Sequence, residues 1–151
     1  MPETKNMDTS LPDRGNLNTL IIDDDVAIQK LVKGALSQLG VCKVICASEG
    51  REALQVVKAN ERNNEPFNLI ICDWEMPVMD GITFLETFRK NNQIAVVIML
   101  TVRTSADDFN KAHKAGADYF FMKPLDTDML KTRLDAAINA ALEKRLKGQN
   151  H

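Results

Sequence analysis

The chain has few aromatic residues, few cysteines, no dense run of basic residues and no long hydrophobic segment. Among its 151 residues, 19 are basic and 21 are acidic, and the lysines and arginines are scattered along the sequence. A nucleic-acid-binding domain would normally present a basic face, so the composition argues against direct nucleic-acid binding. No apolar run approaches the roughly 20 residues of a membrane-spanning helix, and no membrane association is predicted.

The scarce cysteines and histidines argue against a zinc site. The three cysteines, Cys42, Cys46 and Cys72, form no CxxC pair, and neither His113 nor His151 is placed to join them. Structural zinc sites need closely spaced ligands of these types. An odd number of cysteines within or beside apolar runs, without a secretion signal, favours reduced and buried thiols in a cytoplasmic protein.

The first sixteen residues, MPETKNMDTSLPDRGN, lack the apolar core of a secretory signal and any helical or strand periodicity. They contain two prolines and little apolar surface to bury. We therefore predict a flexible leader over residues 1–16, one folded domain over 17–147 and a short tail over 148–151. The length suits a single domain with a substantial core.

Short apolar runs bounded by polar or turn-forming residues recur along the domain. They are LNTLII (17–22), VCKVICA (41–47), FNLIIC (67–72), IAVVIML (94–100) and DYFFM (118–122). Their length and β-branched content predict strands buried on both faces. Stretches with apolar residues at the helical period of about 3.6 lie between and after these runs. The alternation of strand and helix predicts an α/β domain with a parallel sheet and helices on both of its faces.

Reactive side chains follow most of the predicted strands directly. They are Asp23, Asp24 and Asp25 after the first strand, Asp73 after the third, Thr101 after the fourth and Lys123-Pro124 after the fifth. Ligands of open α/β sheets bind beyond the carboxyl ends of the strands, where strand order reverses. Because Asp25 is expected to begin the first helix, three carboxylates, a hydroxyl and an ammonium group are left for this edge.

Carboxylates packed this closely repel one another and have raised pKa values unless a cation neutralises them. Lys123 supplies one positive charge for three acids, so a divalent cation is predicted. Oxygen ligands and an incomplete protein shell favour Mg²⁺, which keeps several waters and often shares a phosphate. With both cations beside it, Asp73 is placed to act as the nucleophile of a phosphoryl transfer that yields an aspartyl phosphate.

Four segments together have a recognisable pattern: LIIDDD, LIICDWEMPVMDG, VVIMLTVR and GADYFFMKP. In order and spacing they resemble the receiver domain of two-component response regulators, and the resemblance covers about residues 17–146. It implies a flavodoxin-like, doubly wound sheet of five parallel strands in the order 2-1-3-4-5, with five helices. It also implies a stand-alone receiver of the chemotaxis type.

The resemblance implies roles for the acidic residues. Asp73 is the expected phosphoacceptor and one of the Mg²⁺ ligands. Asp24 is expected to bind the ion directly, and Asp23 to hold it largely through water. The backbone carbonyl of Glu75 is expected to complete the protein's share of the coordination.

Further roles follow for residues around these acids. Thr101 is expected to bind a phosphoryl oxygen through its hydroxyl and to swing inward on activation. Lys123 is expected to supply the cation of the pocket, and its peptide bond to Pro124 is expected to be cis. Phe120 occupies the aromatic switch position and, having no hydroxyl, is expected to act through packing alone. The backbone N–H of Val102 is expected to donate to the phosphoryl group, although receivers usually carry a smaller side chain there.

The rim of the pocket is expected to contain Trp74 and Arg103. We predict that Trp74 is partly exposed beside the acids, and that Glu75 and Arg103 pair across the entrance. His113 is expected to be a solvated surface residue.

These observations predict a phospho-accepting response regulator. Asp73 takes a phosphoryl group from a histidine kinase or histidine phosphotransfer protein in an Mg²⁺-dependent reaction that the domain itself catalyses, together with its own dephosphorylation. The modification changes the affinity for a downstream protein, expected at the face formed by the fourth helix, fifth strand and fifth helix. A terminal switch and a relay intermediate fit equally well.

Three other functions remain to be weighed, namely a phosphatase, a binding module that works without phosphorylation and a nucleotide-binding module. The first is an Mg²⁺-dependent aspartyl-phosphate phosphatase, although phosphatases of the haloacid dehalogenase type need an acid two residues after the nucleophile within D-x-D. Here the sequence is Asp73-Trp74-Glu75. A nucleotide-binding module would want a glycine-rich loop after the first strand, where this chain has three aspartates.

Overall fold

The computed structural model of the protein describes residues 14–149, with side chains described as far as residue 147. Strands and helices alternate strictly. In chain order they are β1 (Asn18–Ile22), α1 (Val26–Gln38), β2 (Lys43–Ala47), α2 (Gly50–Arg62), β3 (Leu69–Asp73), α3 (Gly81–Arg89), β4 (Val96–Thr101), α4 (Ala106–Ala115), β5 (Tyr119–Met122) and α5 (Thr127–Gln149). Between residues 14 and 149, no helix has the length and apolarity needed to cross a bilayer.

The strands form one parallel sheet in the order β2-β1-β3-β4-β5, which confirms the predicted fold class. The register aligns the carboxyl ends of the central strands. Asp73 of β3 lies beside Leu100, and Thr101 of β4 lies beside Met122 at the end of β5. The residues that follow β1 and β5 therefore meet the ends of β3 and β4 at one edge of the sheet.

Apolar layers cover both faces of the sheet. Side chains from α2, α3 and α4 pack on one face, and those from α1 and α5 pack on the other. β3 and β4 are buried along their whole length. The prediction of strands buried on both faces is wrong for β2 and β5, which keep partly or fully exposed residues because they form the two edges of the sheet.

The residues that immediately precede β1 contact the folded domain. Residues 1–13 of the predicted leader lie outside the described residues, as do residues 150–151 of the predicted tail. The end of the leader, Arg14–Asn16, forms a short 3₁₀ helix. The Arg14 guanidinium donates to the Leu39 carbonyl at 2.9 Å and pairs with Asp135 of α5 at 2.9 Å. These contacts attach the residues before β1 to both α1 and α5.

Val78, in the loop that joins β3 to α3, has a backbone conformation that branched residues rarely adopt. Its φ is +68°, and the N–H of Met79 donates to the carbonyl of Pro77 at 2.7 Å, closing a tight turn around it. Its side chain is also 76% exposed. A β-branched residue at positive φ is strained by about 1–3 kcal/mol. The turn presents the Met79 carbonyl to the N–H of Gly50, which donates to it at 3.1 Å and so attaches the start of α2 to the loop.

Replacing Val78 by asparagine is expected to raise the free energy of unfolding by about 1 kcal/mol, because asparagine tolerates positive φ far better than valine does. The matched control is Val102→Asn, at an exposed valine whose φ is not positive. That change is expected to stay within about 0.5 kcal/mol. Urea unfolding measures both, and an equal gain in the two variants would show that polarity rather than backbone strain is responsible.

Candidate functional site

Three carboxylates meet at the carboxyl edge of the sheet. Asp23, Asp24 and Asp73 each place an oxygen within 4.8 Å of the others. Asp23 is fully buried, Asp73 is nearly so, and Asp24 is exposed. Asp25 instead caps α1 by accepting a hydrogen bond from the N–H of Ala27 at 2.9 Å. The structure therefore brings together the three acids expected at the strand ends, whereas Asp25 serves as the N-cap of α1.

The Lys123 ammonium lies between the two buried acids. Its Nζ is 3.1 Å from Oδ2 of Asp23 and 3.2 Å from Oδ1 of Asp73. The Lys123 N–H donates to the Thr101 carbonyl at 2.9 Å, which continues the pairing of β5 with β4 up to this residue. The bond from Lys123 to Pro124 is cis, as the resemblance implied.

The space for Asp73 depends on the glycine that begins α3. A Cβ atom added to Gly81 would lie 2.3 Å from the carbonyl oxygen of Asp73, far inside contact distance. The Gly81 N–H donates to the Trp74 carbonyl at 2.8 Å, and the neighbouring Asp80 caps the helix by accepting from the N–H of Thr83. The loop can therefore fold back onto the end of β3 only with glycine at this position.

Burial and mutual repulsion govern the charges of the site. Burial raises the pKa of Asp73 to about 6, with a further contribution from Asp23 that the nearby Lys123 partly opposes. Burial also raises the pKa of Asp23, against the hydrogen bond from the Asp25 N–H and the attraction of Lys123. Burial lowers the pKa of Lys123, but the two carboxylates outweigh it and raise that pKa overall. One ammonium therefore leaves the acids incompletely neutralised.

Thr101, Val102 and Phe120 lie around this acidic centre. Thr101 is 2% exposed at the end of β4, and its Oγ1 accepts a hydrogen bond from the N–H of Arg103 at 2.8 Å. The Val102 side chain is 63% exposed. Phe120 is half-buried in β5, and its ring centroid is 5.4 Å from that of Phe109 in α4. A change in the packing of Phe120 would therefore directly alter its contact with α4.

The prediction that Trp74 is partly exposed is wrong. Trp74 is only 3% exposed, because it packs in the apolar cluster beside α2, α3 and α4 and the Arg103 guanidinium lies over its ring, with 4.6 Å between the guanidinium carbon and the ring centroid. The predicted pair of Glu75 and Arg103 is present, with Nη2 and Oε2 3.0 Å apart. Sequence reasoning missed a second acid, Asp108 of α4, whose Oδ1 is 3.5 Å from Nη1 of Arg103. No sequence signal marked this pair, since the two residues belong to different elements and Asp108 reads as an ordinary first-turn acid.

A family model described as the response regulator receiver domain matches residues 19–135. The chain belongs to this family. It is 31% identical over 126 residues to a probable chemotaxis protein CheY of Rhizobium etli, covering 82% of this chain and 94% of that protein. It is 32% identical over 123 residues to the transcriptional regulatory protein ZraR of Escherichia coli, but there the match spans 82% of this chain and only 26% of the relative.

Solved receiver structures share the fold. A CheY-like receiver domain from Methanospirillum hungatei aligns with a TM-score of 0.73 at 30% identity, covering 85% of this chain and 98% of that one. A CheX–CheY complex with BeF₃ and Mg²⁺ from Borrelia burgdorferi contains a chain that aligns with a TM-score of 0.72 at 29% identity, covering 80% of this chain and 87% of that one. The five-stranded order found here is thus that of CheY-like receivers.

Receiver domains generally bind Mg²⁺ at an acidic pocket, and the aspartate cluster of this receiver fits that ion. The donor atoms are carboxylate oxygens, which hard divalent cations prefer. Asp23 and Asp73 are buried with a single ammonium between them, so a further positive charge would stabilise their ionised forms. His113, by contrast, is exposed on α4, as expected for a solvated surface residue of this receiver.

Proposed function

We propose that this receiver accepts a phosphoryl group on Asp73 from the phosphohistidine of a histidine kinase or a histidine phosphotransfer protein. An Asp73 carboxylate oxygen attacks phosphorus, the phosphorus–nitrogen bond breaks, and the leaving imidazole keeps the bonding electron pair. The observation that carries the proposal is the nearly buried Asp73 carboxylate, 3.2 Å from the Lys123 ammonium and clustered with Asp23 and Asp24.

The surrounding residues have roles that follow from their positions. Lys123 is placed to neutralise a phosphoryl oxygen, and the Thr101 hydroxyl and Val102 N–H to donate to others. Positioning and charge neutralisation of this kind supply most of the catalysis of phosphoryl transfer. Asp23, Asp24, Asp73 and the backbone carbonyl of Glu75 would hold Mg²⁺, which supplies additional positive charge to the phosphoryl oxygens.

The phosphorylated domain is proposed to change its affinity for a downstream protein, or to pass the group on, in the cytoplasm. The face of α4, β5 and α5 is the proposed surface for that partner, supported by the contact of Phe120 with Phe109 and by the 37% exposure of Met122. The cytoplasm is supported by the cysteines Cys42, Cys46 and Cys72, all of which are free thiols. The CheX–CheY complex with BeF₃ and Mg²⁺ supports the general scheme by analogy.

The phosphatase alternative gains no support from the geometry. A phosphatase of the D-x-D type uses its second acid on the reacting groups, whereas the Glu75 carboxylate is paired with Arg103 at 3.0 Å. We therefore retain the receiver function alone.

Phosphoramidate, a small phosphodonor, tests the proposal without knowledge of the cognate kinase. With Mg²⁺ present, intact-protein mass spectrometry is expected to show the addition of one phosphoryl group, and peptide mapping is expected to place it on Asp73. Asp73→Asn should remain unmodified, whereas the control Asp107→Asn, at an exposed acid of α4, should react like the wild type. Absence of modification in the wild type, or equal modification of Asp73→Asn, would exclude Asp73 as the acceptor.

A further inference from the structure

The Arg103 side chain connects two segments that border the phosphoacceptor. Its guanidinium pairs with Glu75 in the loop after β3 at 3.0 Å and with Asp108 in the first turn of α4 at 3.5 Å. It thus bridges the loop that follows Asp73 and the helix that follows Thr101. The contacting side chains of Arg103, Glu75 and Asp108 are 37%, 58% and 27% exposed, so each ion pair is individually weak.

The guanidinium also covers Trp74, the residue after the acceptor. The guanidinium carbon lies 4.6 Å from the ring centroid and, together with the apolar cluster in which Trp74 packs, leaves this large side chain nearly inaccessible. The remaining guanidinium donor, Nε of Arg103, is buried and has no hydrogen-bond partner among the described residues. A buried donor without an acceptor weakens the arrangement that holds it, so the contacts of Arg103 are strong enough to form but easily released.

The backbone of Arg103 is joined to the residue that is proposed to sense the phosphoryl group. The Arg103 N–H donates to Oγ1 of Thr101 at 2.8 Å. When the Thr101 hydroxyl turns toward a phosphoryl group, it must either break this hydrogen bond or draw the Arg103 backbone along. Both movements displace the guanidinium relative to Glu75 and Asp108.

We propose that Arg103 is a positioning residue that latches the resting conformation: its side chain fastens α4 to the loop after β3, and engagement of Thr101 with the phosphoryl group releases it. This inference rests on the proposed phosphorylation of Asp73. It adds that the equilibrium between the resting and the engaged domain is set in part by a residue that does not touch the phosphoryl group.

Beryllofluoride, which mimics an aspartyl phosphate, tests the latch when its binding is measured by calorimetry at saturating Mg²⁺. A ligand that selects one of two conformations binds more tightly when the competing conformation is weakened. Arg103→Met is therefore expected to bind beryllofluoride about fivefold more tightly than the wild type, while its affinity for Mg²⁺ alone stays unchanged. Calorimetry is preferred to fluorescence because removal of the guanidinium itself alters the environment of Trp74.

Two further variants separate a latch from a general disturbance. Asp108→Asn leaves Arg103 and Trp74 in place and is expected to shift the affinity in the same direction by a smaller factor. Combined with Arg103→Met it should add nothing, because the two residues act through one contact. Arg62→Met, at an exposed arginine at the far end of α2, serves as the matched control and should bind like the wild type.

The alternative outcomes are distinct. Weaker binding by Arg103→Met would mean that the guanidinium contacts the phosphoryl mimic directly, and unchanged binding would mean that it only stabilises the fold; either result overturns the latch and leaves the proposed function standing. Absence of beryllofluoride binding to the wild type would instead overturn the proposed function, and the latch with it.

Discussion

Replacing Asp73 by asparagine is expected to abolish phosphorylation and, at the same time, to stabilise the metal-free protein at neutral pH. The Asp73 carboxylate is nearly buried beside Asp23, and burial together with this repulsion raises its pKa from 3.8 to about 6. A neutral amide of the same shape removes the repulsion while it keeps the packing. We expect the free energy of unfolding to rise by about 3 kcal/mol at pH 7.5, since each unit by which the pKa is raised corresponds to about 1.4 kcal/mol.

The sign of the pH dependence follows from the direction of the shift. Because the pKa of Asp73 is higher in the folded than in the unfolded chain, the folded protein binds the proton more tightly. The stability that this proton contributes is fully present below about pH 4 and is lost as the pH rises through about 6. The advantage of Asp73→Asn over the wild type should therefore be small at pH 4 and complete by pH 7.5.

Urea unfolding in the presence of a chelator measures this difference, and titration with Mg²⁺ should narrow it, because an ion that binds only the folded wild type stabilises it. Asp118→Asn is the matched control. Asp118 pairs with Arg89 at 3.0 Å and accepts from the Val97 N–H, so its replacement should destabilise the protein. An Asp73→Asn variant that is less stable than the wild type at pH 7.5 would contradict the view that the buried, ionised Asp73 carboxylate destabilises the metal-free protein.

Replacing Lys123 by methionine is expected to have the opposite effect. The ammonium contacts both buried carboxylates, at 3.1 Å and 3.2 Å, and its loss leaves Asp23 with no cationic side chain in contact among the described residues. Removal of one partner from a buried ion pair typically destabilises a protein by about 3–5 kcal/mol. We expect the free energy of unfolding to fall by about 3 kcal/mol at pH 8 without metal, and phosphorylation by phosphoramidate to be impaired.

The loss should depend on pH and on Mg²⁺. Without Lys123 the pKa values of Asp23 and Asp73 rise further, so the gap between the variant and the wild type should shrink as the pH falls toward 4 and these acids become protonated. Added Mg²⁺ should stabilise Lys123→Met more than it stabilises the wild type, because no cationic side chain of residues 14–147 other than Lys123 contacts Asp23 or Asp73. Lys144→Met removes an exposed partner of Asp118, 3.6 Å away, and should change stability by less than about 1 kcal/mol. If Lys123→Met were destabilised equally at pH 5 and pH 8, charge repulsion would be excluded as the cause.

Much of the candidate site was predictable because it lies at strand ends. A parallel sheet carries the residues after its strands to one edge, so Asp23, Asp73, Thr101 and Lys123 could be expected to meet once their strands were recognised. The observed contacts of Lys123 with the two acids agree with that reasoning. The strand order itself came from the resemblance, since hydrophobic patterning identifies strands but carries little information on which strands are neighbours.

Other features depended on contacts between segments distant in the sequence. Trp74 looked like a rim residue because an aromatic side chain after a strand-end acid has no covering neighbour in the local sequence. It is buried because it packs in the apolar cluster on one face of the sheet and because Arg103, 29 positions later, lies over it. The exposure of β2 and β5 was likewise missed, since an apolar run reads the same at the centre of a sheet and at its edge.

The sequence by itself determined the alternation of strands and helices, the acids and the lysine at the strand ends and the excess of acids over that lysine, because each follows from local pattern or from the sum of nearby charges. Only the tertiary structure decided which groups touch. It placed Lys123 between Asp23 and Asp73, and it joined Arg103 to Asp108. These outcomes depend on side-chain directions and on the packing of helices against the sheet, and such long-range geometry is set by the whole core rather than by any segment of it.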